Sequence, residues 1–140
     1  MSFRNFYNFL ETGLDGGVLE VSSPNINGGA FTDITNAAVG GSFVTGEYTD
    51  TITPNFGNPI GGRVAWSGSS DGYIDTVANL GPNVAGQTIK LRFRMGTANS
   101  GNNVSWRVDT ISISTRACAP VAQSAFSRKV HGGASTFDVP

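Results

Sequence analysis

Three acidic residues have the side-chain chemistry of a calcium site. Calcium takes several oxygen ligands from carboxylates, amide side chains and loop carbonyls. Glu11 and Asp15 lie close together near one end of the sequence, and Asp109 lies in the last apolar segment, so the three would converge if the terminal strands pair. In the simpler interpretation, which we favour, Asp15 caps a turn and Asp109 is hydrogen-bonded at a bulge. If a metal ion is bound, we therefore predict calcium at Asp15 and Asp109.

A serine motif is the main sequence signal for an enzyme. Residues 68–72 match the G-x-S-x-G pattern of a hydrolase nucleophile elbow, with Ser70 as the nucleophile. That elbow needs a helix after the serine, whereas residues 73–77 have the pattern of a strand. The partners of a catalytic triad, His131 and Asp138, lie in the tail beyond the last predicted strand. We therefore predict that the protein is not an enzyme, and a serine hydrolase is the less favoured alternative.

The composition argues against several other classes of site and partner. Cys118 is the only cysteine and His131 the only histidine, so an internal disulfide, a cysteine cluster and a histidine-rich zinc site are excluded. A formal net charge of -1 gives no field that would attract nucleic acid or an anionic membrane surface. No run approaches the roughly 18 apolar residues of a membrane span. We therefore expect neither a nucleic-acid partner nor membrane insertion.

Three aromatic residues are candidates for binding a sugar, because amphipathic rings can stack on its apolar faces. They are Trp66, Trp106 and Tyr73. Trp106 alternates with apolar positions, so we expect it to be buried. Trp66 borders the polar segment 67–70 and is our one candidate for a ligand-binding residue, although packing in the core or against the loop is the simpler interpretation.

The elements that would position these residues follow from apolar residues that recur at every second place. Short runs of this pattern, bounded by Gly, Asn, Pro and Ser, predict half-buried strands. Eight strands are predicted, at residues 3–10, 18–22, 31–34, 42–45, 63–66, 73–80, 88–95 and 104–114. No segment keeps a helical pattern between its Gly and Pro residues. We therefore predict an all-β fold, a two-sheet antiparallel sandwich of jelly-roll type.

The segment 90–95 carries the clearest alternation in the chain. Its apolar side chains are predicted to face the core, namely Leu91, Phe93 and Met95. Its cations are predicted to face solvent, namely Lys90, Arg92 and Arg94. A basic binding patch is the minority interpretation, because the chain as a whole is nearly neutral.

The last predicted strand changes register within itself. Val104, Trp106 and Val108 alternate, but the apolar set continues one place later, at Ile111. An extra residue on one strand of a pair produces such a shift. We therefore predict a β-bulge near residues 109–110.

A series of motifs in fixed order over residues 3–115 resembles a module of large secreted bacterial proteins. The series comprises NFLE at 8–11, LDGGVLEVS at 14–22, GGAFTDI at 28–34, GGSF at 40–43, GGRVAWSG at 61–68, LRFRMG at 91–96 and WRVDTISI at 106–113. The module is similar to the MAM-like, concanavalin-type jelly-roll domains that accompany the peptidase domain of immune-inhibitor-type metallopeptidases. This chain departs from that pattern at residues 98–99, where we expect an aspartate, and the missing carboxylate would weaken calcium binding.

The resemblance implies a non-catalytic accessory module of an exported multidomain protein, at the bacterial surface or outside the cell. Its expected partners are neighbouring domains of a longer chain and a glycan or another cell-surface ligand. The alternative is a purely structural spacer. Strand-like sequence begins directly after Met1, so we expect the chain to start inside a longer protein whose export signal lies elsewhere.

The sequence changes character near Pro120, which follows the last predicted strand and removes a backbone donor. Residues 127–133 and 136–140 resemble the opening of another strand-rich segment of similar bacterial proteins. We therefore predict a β-sandwich module at residues 1–118, followed at 119–140 by a linker or the start of a truncated segment that packs loosely on the sandwich.

Overall fold

The structure, a computed structural model, describes residues 1–98 and 104–115 of the chain. These residues form nine strands and two short 3-10 turns, at Asn27–Gly29 and Pro82–Val84. The strands are β1 (Ser2–Asn8), β2 (Gly16–Ser22), β3 (Thr32–Asp33), β4 (Ser42–Thr45), β5 (Asp50–Thr51), β6 (Val64–Ala65), β7 (Ile74–Asn79), β8 (Lys90–Gly96) and β9 (Ser105–Ser112). Over this described part of the chain, we find no helix with the length and apolar character of a membrane span.

The strands form two main antiparallel sheets that pack face to face. The four-stranded sheet has the order β4-β7-β1-β9, and the three-stranded sheet has the order β3-β2-β8. The short strands β5 and β6 pair with each other beside the three-stranded sheet. The predicted all-β, two-sheet antiparallel sandwich is therefore confirmed.

The core between the sheets is built around the buried ring of Trp66. Phe3 on β1 and Phe43 on β4 place their ring centroids 5.9 and 5.4 Å from that of Trp66. Tyr48 and Trp106 lie at 4.8 and 6.0 Å. Each well-oriented aromatic pair contributes about 0.5–1.5 kcal/mol beyond its buried area, so this cluster holds the two sheets together.

Strand β2 is buried on both of its faces, unlike a strand that has one side in water. Leu19 lies in the core between the sheets, whereas Val18 lies on the opposite face under Ile52, Ile60 and Ala65. We call that opposite side the outer face of the three-stranded sheet. The segment that contains β5 and β6 covers part of this face.

Glycine is required on β2 where the other sheet approaches most closely. A Cβ atom added to Gly17 would lie 2.7 Å from the ring of Trp106, closer than real carbon atoms approach. The paired glycines of the sequence therefore include a packing position as well as turn positions.

The predicted bulge is confirmed in β9. The pairing of β1 with β9 shifts between Ser2 and Arg4, and Thr110 has a φ of 52°. The extra residue places Ser112 opposite Ser2, so Ile111 returns to the side of Val108, but its side chain is exposed.

Each of the eight predicted strands corresponds to an observed strand: the prediction at 42–45 has the bounds of β4, and the others differ at one or both ends. The first prediction ran to Leu10, but β1 ends at Asn8 because the chain turns there, with a φ of 60° at Leu10. Strand β5 was not predicted, since its two exposed polar residues carry no apolar alternation. The predicted segment 119–140 and the predicted boundary near residue 118 lie outside the described residues.

One prediction for β8 is wrong, and a second is incomplete. Met95 was expected in the core, but its side chain is exposed. Arg92 faces outward as predicted, with a side chain that is 39% exposed, but it also forms an ion pair with Glu20 on β2, which was not predicted. Directly opposed residues of an antiparallel pair share a face, so Arg92 lies beside Glu20 because the two occupy the same register position.

Candidate functional site

Trp66, the predicted ligand-binding residue, lies in the core. It follows β6, its relative exposure is 0%, and its indole N–H donates a hydrogen bond of 2.8 Å to the carbonyl oxygen of Gly46. Neither face of the ring is accessible to a sugar, so the structure contradicts this prediction. The simpler interpretation of Trp66, packing in the core, is the correct one.

The other two aromatic candidates lie in different environments. Trp106 on β9 is partly buried against the core, and its indole N–H donates a hydrogen bond of 2.8 Å to Oδ1 of Asn5. Tyr73, directly before β7, has a relative exposure of 42%. Of the three aromatic residues, Tyr73 is therefore the one with a ring that a ligand could reach.

Tyr73 pairs with a second aromatic residue on the outer face of the four-stranded sheet. Strand β1 alternates, with Phe3, Asn5 and Tyr7 buried and the intervening residues less buried. Phe6 therefore points outward, and its ring centroid lies 5.6 Å from that of Tyr73 at an interplanar angle of 47°. Phe6 was missed at first, although an aromatic residue between two inward positions was a usable signal.

Two arginines flank this aromatic pair. The guanidinium carbon of Arg4 lies 5.4 Å from the centroid of Tyr73, and that of Arg107 lies 5.4 Å from the centroid of Phe6. These are cation–π distances. We call Phe6, Tyr73, Arg4 and Arg107 the aromatic platform.

The charges around the aromatic platform are balanced. Arg4 Nε lies 3.2 Å from Oδ1 of Asp75, and Asp109 occupies the register position opposite Arg4 on β9. Both members of the Arg4–Asp75 pair are well exposed, so the pair contributes little to the stability of the fold. The platform thus presents two ring surfaces bordered by hydrogen-bonding groups of both signs.

The predicted calcium ligands are not brought together. Asp109 lies on the outer face of β9, where it is exposed and its Oδ1 accepts a hydrogen bond from the backbone of Thr110. Asp15 is fully buried just before β2. In the described residues, no three His, Cys, Asp or Glu side chains form a group that could hold a metal ion.

The buried carboxylate of Asp15 is only partly satisfied. Its Oδ1 accepts a hydrogen bond of 2.6 Å from the backbone N–H of Ala98, whereas its Oδ2 is buried and has no hydrogen-bond partner among residues 1–98 and 104–115. Leaving a buried polar atom unpaired costs about 1–3 kcal/mol, and more when the group is charged. Asp15 therefore remains the candidate for a cation ligand.

Ser70 is held by the backbone of the sandwich. Its hydroxyl oxygen accepts a hydrogen bond of 2.9 Å from the N–H of Tyr7 and lies 2.7 Å from the carbonyl oxygen of Gly72. The motif 68–72 leads into strand β7 and not into a helix, which is unlike a nucleophile elbow. His131, Asp138 and Cys118 lie outside the described residues.

A second polar group, which sequence analysis did not identify, occupies the outer face of the three-stranded sheet. The side chain of Glu20 is 2% exposed. Its carboxylate accepts hydrogen bonds from Nη1 of Arg63 at 2.7 Å and from Nε of Arg92 at 2.6 Å. Arg63 also reaches Oδ2 of Asp33 at 2.7 Å. Together with Arg94, these residues form what we call the arginine cluster.

The electrostatics of the arginine cluster keep its groups charged. Burial alone raises the pKa of Glu20, but the hydrogen bonds and charges of Arg92 and Arg63 outweigh burial and hold the pKa below its ordinary value. Burial likewise lowers the pKa of Arg63, and its contacts with Glu20 and Asp33 reverse that effect. The neighbouring Tyr48, hydrogen-bonded to Asp33, has its pKa raised mainly by burial, so it stays protonated.

Comparison of the chain with protein-family models, curated proteins and solved structures found no match. The resemblance to MAM-like modules therefore stays a prediction that rests on the motifs of the sequence.

Proposed function

We propose that the chain is a non-catalytic binding module of an exported multidomain bacterial protein and that its ligand is a glycan. The observation that carries this proposal is the aromatic platform on the outer face of the four-stranded sheet. Exposed amphipathic rings stack on the apolar faces of sugars, and the polar groups around them orient the sugar hydroxyls. The motifs that resemble MAM-like modules support the exported, accessory role, with neighbouring domains as partners.

Contacts within the protein already restrict the side chains of the platform, so they lose little further freedom when a ligand binds. Strand β1, which carries Phe6, pairs with β7 on one side and β9 on the other, and Phe6 lies opposite Arg107 on β9. Arg4 and Arg107 each cover part of one ring, which limits the rotation of both partners. Preorganised side chains lose less conformational entropy when a ligand binds, so a small platform of two rings is a sufficient basis for weak, specific sugar binding.

A glycan array probed with the 140-residue chain tests this proposal. We expect a restricted set of glycans to bind and Tyr73→Ala to abolish that binding, because the variant removes one of the two stacking rings. Phe56→Ala is the matched control, since Phe56 is an aromatic residue of comparable exposure outside the platform. A silent array would favour the structural spacer, and equal losses in the two variants would contradict the assignment of the site.

A calcium ion at Asp15 is a second candidate function, favoured by Oδ2 of that buried carboxylate, which no group of the described residues contacts by a hydrogen bond. A cation beside Oδ2 would offset the cost of a buried, half-satisfied charge. The ion would then stabilise the loops around Asp15 and not the aromatic platform.

Thermal unfolding with and without calcium tests this ion site. A ligand that binds only the native state at ten times its Kd stabilises by about 1.4 kcal/mol, so we expect the melting temperature to rise by a few degrees. Asp15→Asn should remove the rise, whereas Asp109→Asn should keep it. An unchanged melting curve of the unsubstituted chain at millimolar calcium would eliminate the site.

A further inference from the structure

The cations of strand β8 lie in a line on the outer face of the three-stranded sheet. Lys90, Arg92 and Arg94 alternate with inward residues, so they share one face. Alternate residues of a strand are about 6.6 Å apart, and the three cations therefore extend over about 13 Å.

One of these cations is fixed in orientation. Nε of Arg92 donates to the buried Glu20 at 2.6 Å, and the guanidinium carbon lies 4.0 Å from the ring centroid of Phe31. The ion pair and the stacked ring hold the plane of the guanidinium. In the described residues, the two terminal nitrogens of Arg92 have no acceptor, and the side chain is 39% exposed. These nitrogens are preoriented donors that reach solvent.

The two neighbouring cations, Arg94 and Lys90, have weaker contacts with carboxylates than Arg92 has. Arg94 Nη1 lies 4.0 Å from Oε1 of Glu20, beyond hydrogen-bond distance. Lys90 is exposed, and it makes no ion pair with the described part of the chain. The carboxylate of Glu20 is already occupied by Arg63 and Arg92, so it cannot neutralise a third cation well.

The charge balance of this face differs from that of the rest of the molecule. Among the described residues, Lys90 and the three arginines of the cluster share this face with two carboxylates, Glu20 and Asp33, which leaves two positive charges. The aromatic platform on the other sheet is balanced, and the whole chain has a net charge of -1. The excess of positive charge is therefore a local property of this face, because the protein as a whole is slightly acidic.

We propose that this face binds an acidic polysaccharide through its carboxylate or sulfate groups, with Arg92, Arg94 and Lys90 as the contacting residues. The planar guanidinium group binds the oxygens of carboxylates and of tetrahedral oxyanions with two parallel hydrogen bonds. A line of cations suits an extended polymer with repeated anions better than a single small anion. The choice of a polysaccharide over an acidic protein rests on the glycan function proposed above, whereas the binding of an oxyanion does not.

The test measures the affinity of the 140-residue chain for polygalacturonate, dextran sulfate, neutral dextran and polyglutamate. We expect binding to one or both acidic polysaccharides, and the preference between them identifies carboxylate or sulfate as the recognised group. Binding should weaken by at least about threefold between 50 and 200 mM salt because the contacts are exposed charges. Dextran should not bind.

Two substitutions of equal charge locate the site. Arg94→Gln should weaken binding of the acidic polymer at least tenfold, and it leaves the bonds of Glu20 to Arg63 and Arg92 in place. Arg107→Gln is the control, because it removes the same charge from the outer face of the other sheet. Tyr73→Ala removes a platform ring without changing charge, so it should leave the affinity for the acidic polymer unchanged.

Several outcomes would overturn the proposal. Absence of binding to both acidic polysaccharides would remove the site, even if neutral glycans still bind the platform on the array. An equal loss in Arg94→Gln and Arg107→Gln, or a large loss in Tyr73→Ala, would place the anion elsewhere. Polyglutamate binding as tightly as the polysaccharides would contradict the assigned class of partner.

Discussion

Glu20 links two segments that are far apart in the sequence, because it binds Arg63 from the loop before β6 and Arg92 from β8. Removing the charge of a buried acid leaves its arginines without their partner, which costs about 3–5 kcal/mol in comparable pairs. Glu20→Gln should therefore lower the free energy of unfolding by about 2–4 kcal/mol in urea denaturation. Asp75→Asn is the control, because it breaks the exposed pair with Arg4 and should cost less than about 1 kcal/mol. Equal small losses would show that the cluster does not stabilise the fold.

The pH dependence of this loss follows from the lowered pKa of Glu20. A carboxylate with a lowered pKa in the folded state stabilises fully above its unfolded pKa of about 4.3, and this contribution disappears as pH falls through the folded value. The difference in stability between the unsubstituted chain and Glu20→Gln should thus be constant above about pH 5 and shrink in more acidic solution. A difference that grows on acidification would contradict the ionised Glu20 described here.

At the residue scale, the sequence indicated which residue types could bind a ligand, but it was a poor guide to which of these side chains are exposed. Trp66 was chosen as a ligand residue because it borders a polar loop, but its burial comes from Phe3, Phe43 and Tyr48, which are distant in sequence. The outward position of Phe6 follows from local alternation and was predictable. Its pairing with Tyr73 depends on the neighbourhood of β1 and β7, which no local pattern specifies.

At the element scale, close approach of the sheets imposes a specific residue on β2. The added Cβ of Gly17→Ala would overlap the ring of Trp106, so the variant should lose about 1–3 kcal/mol of stability. Gly61→Ala is the control, since its added Cβ would meet nothing closer than 3.2 Å and the loss should be smaller. Thermal unfolding of both variants measures the difference. A Gly17→Ala protein as stable as the control would show that the two sheets can separate at this point.

Elements with strong alternation were predictable, and those formed by tertiary pairing were not. The bulge at Thr110 was visible in the sequence because it shifts the apolar register of β9. Strand β5 has two polar residues and exists through its pairing with β6. The alternating side-chain directions of β8 were predicted correctly. The ion pair of Arg92 was not predicted, because its partner, Glu20, lies on another strand.

At the scale of the whole molecule, the two outer faces of the sandwich differ in chemistry. One face carries a balanced aromatic platform, and the other carries an arginine cluster with excess positive charge. The alternation of residues along β1 and β8 could have placed these side chains outward. Their grouping required the strand orders of both sheets, which depend on contacts between residues distant in the sequence.

The central claim, that a glycan binds the aromatic platform, is tested most directly by NMR titration of the isotope-labelled 140-residue chain with a glycan selected on the array. We expect the largest shifts of backbone amide signals at Phe6, Tyr73 and Arg107, because a stacked sugar changes the ring environment at these positions. The amides of β8 should shift little with a neutral glycan. Shifts confined to residues outside the platform, with Phe6 and Tyr73 unchanged at saturation, would show that the glycan does not bind the aromatic platform.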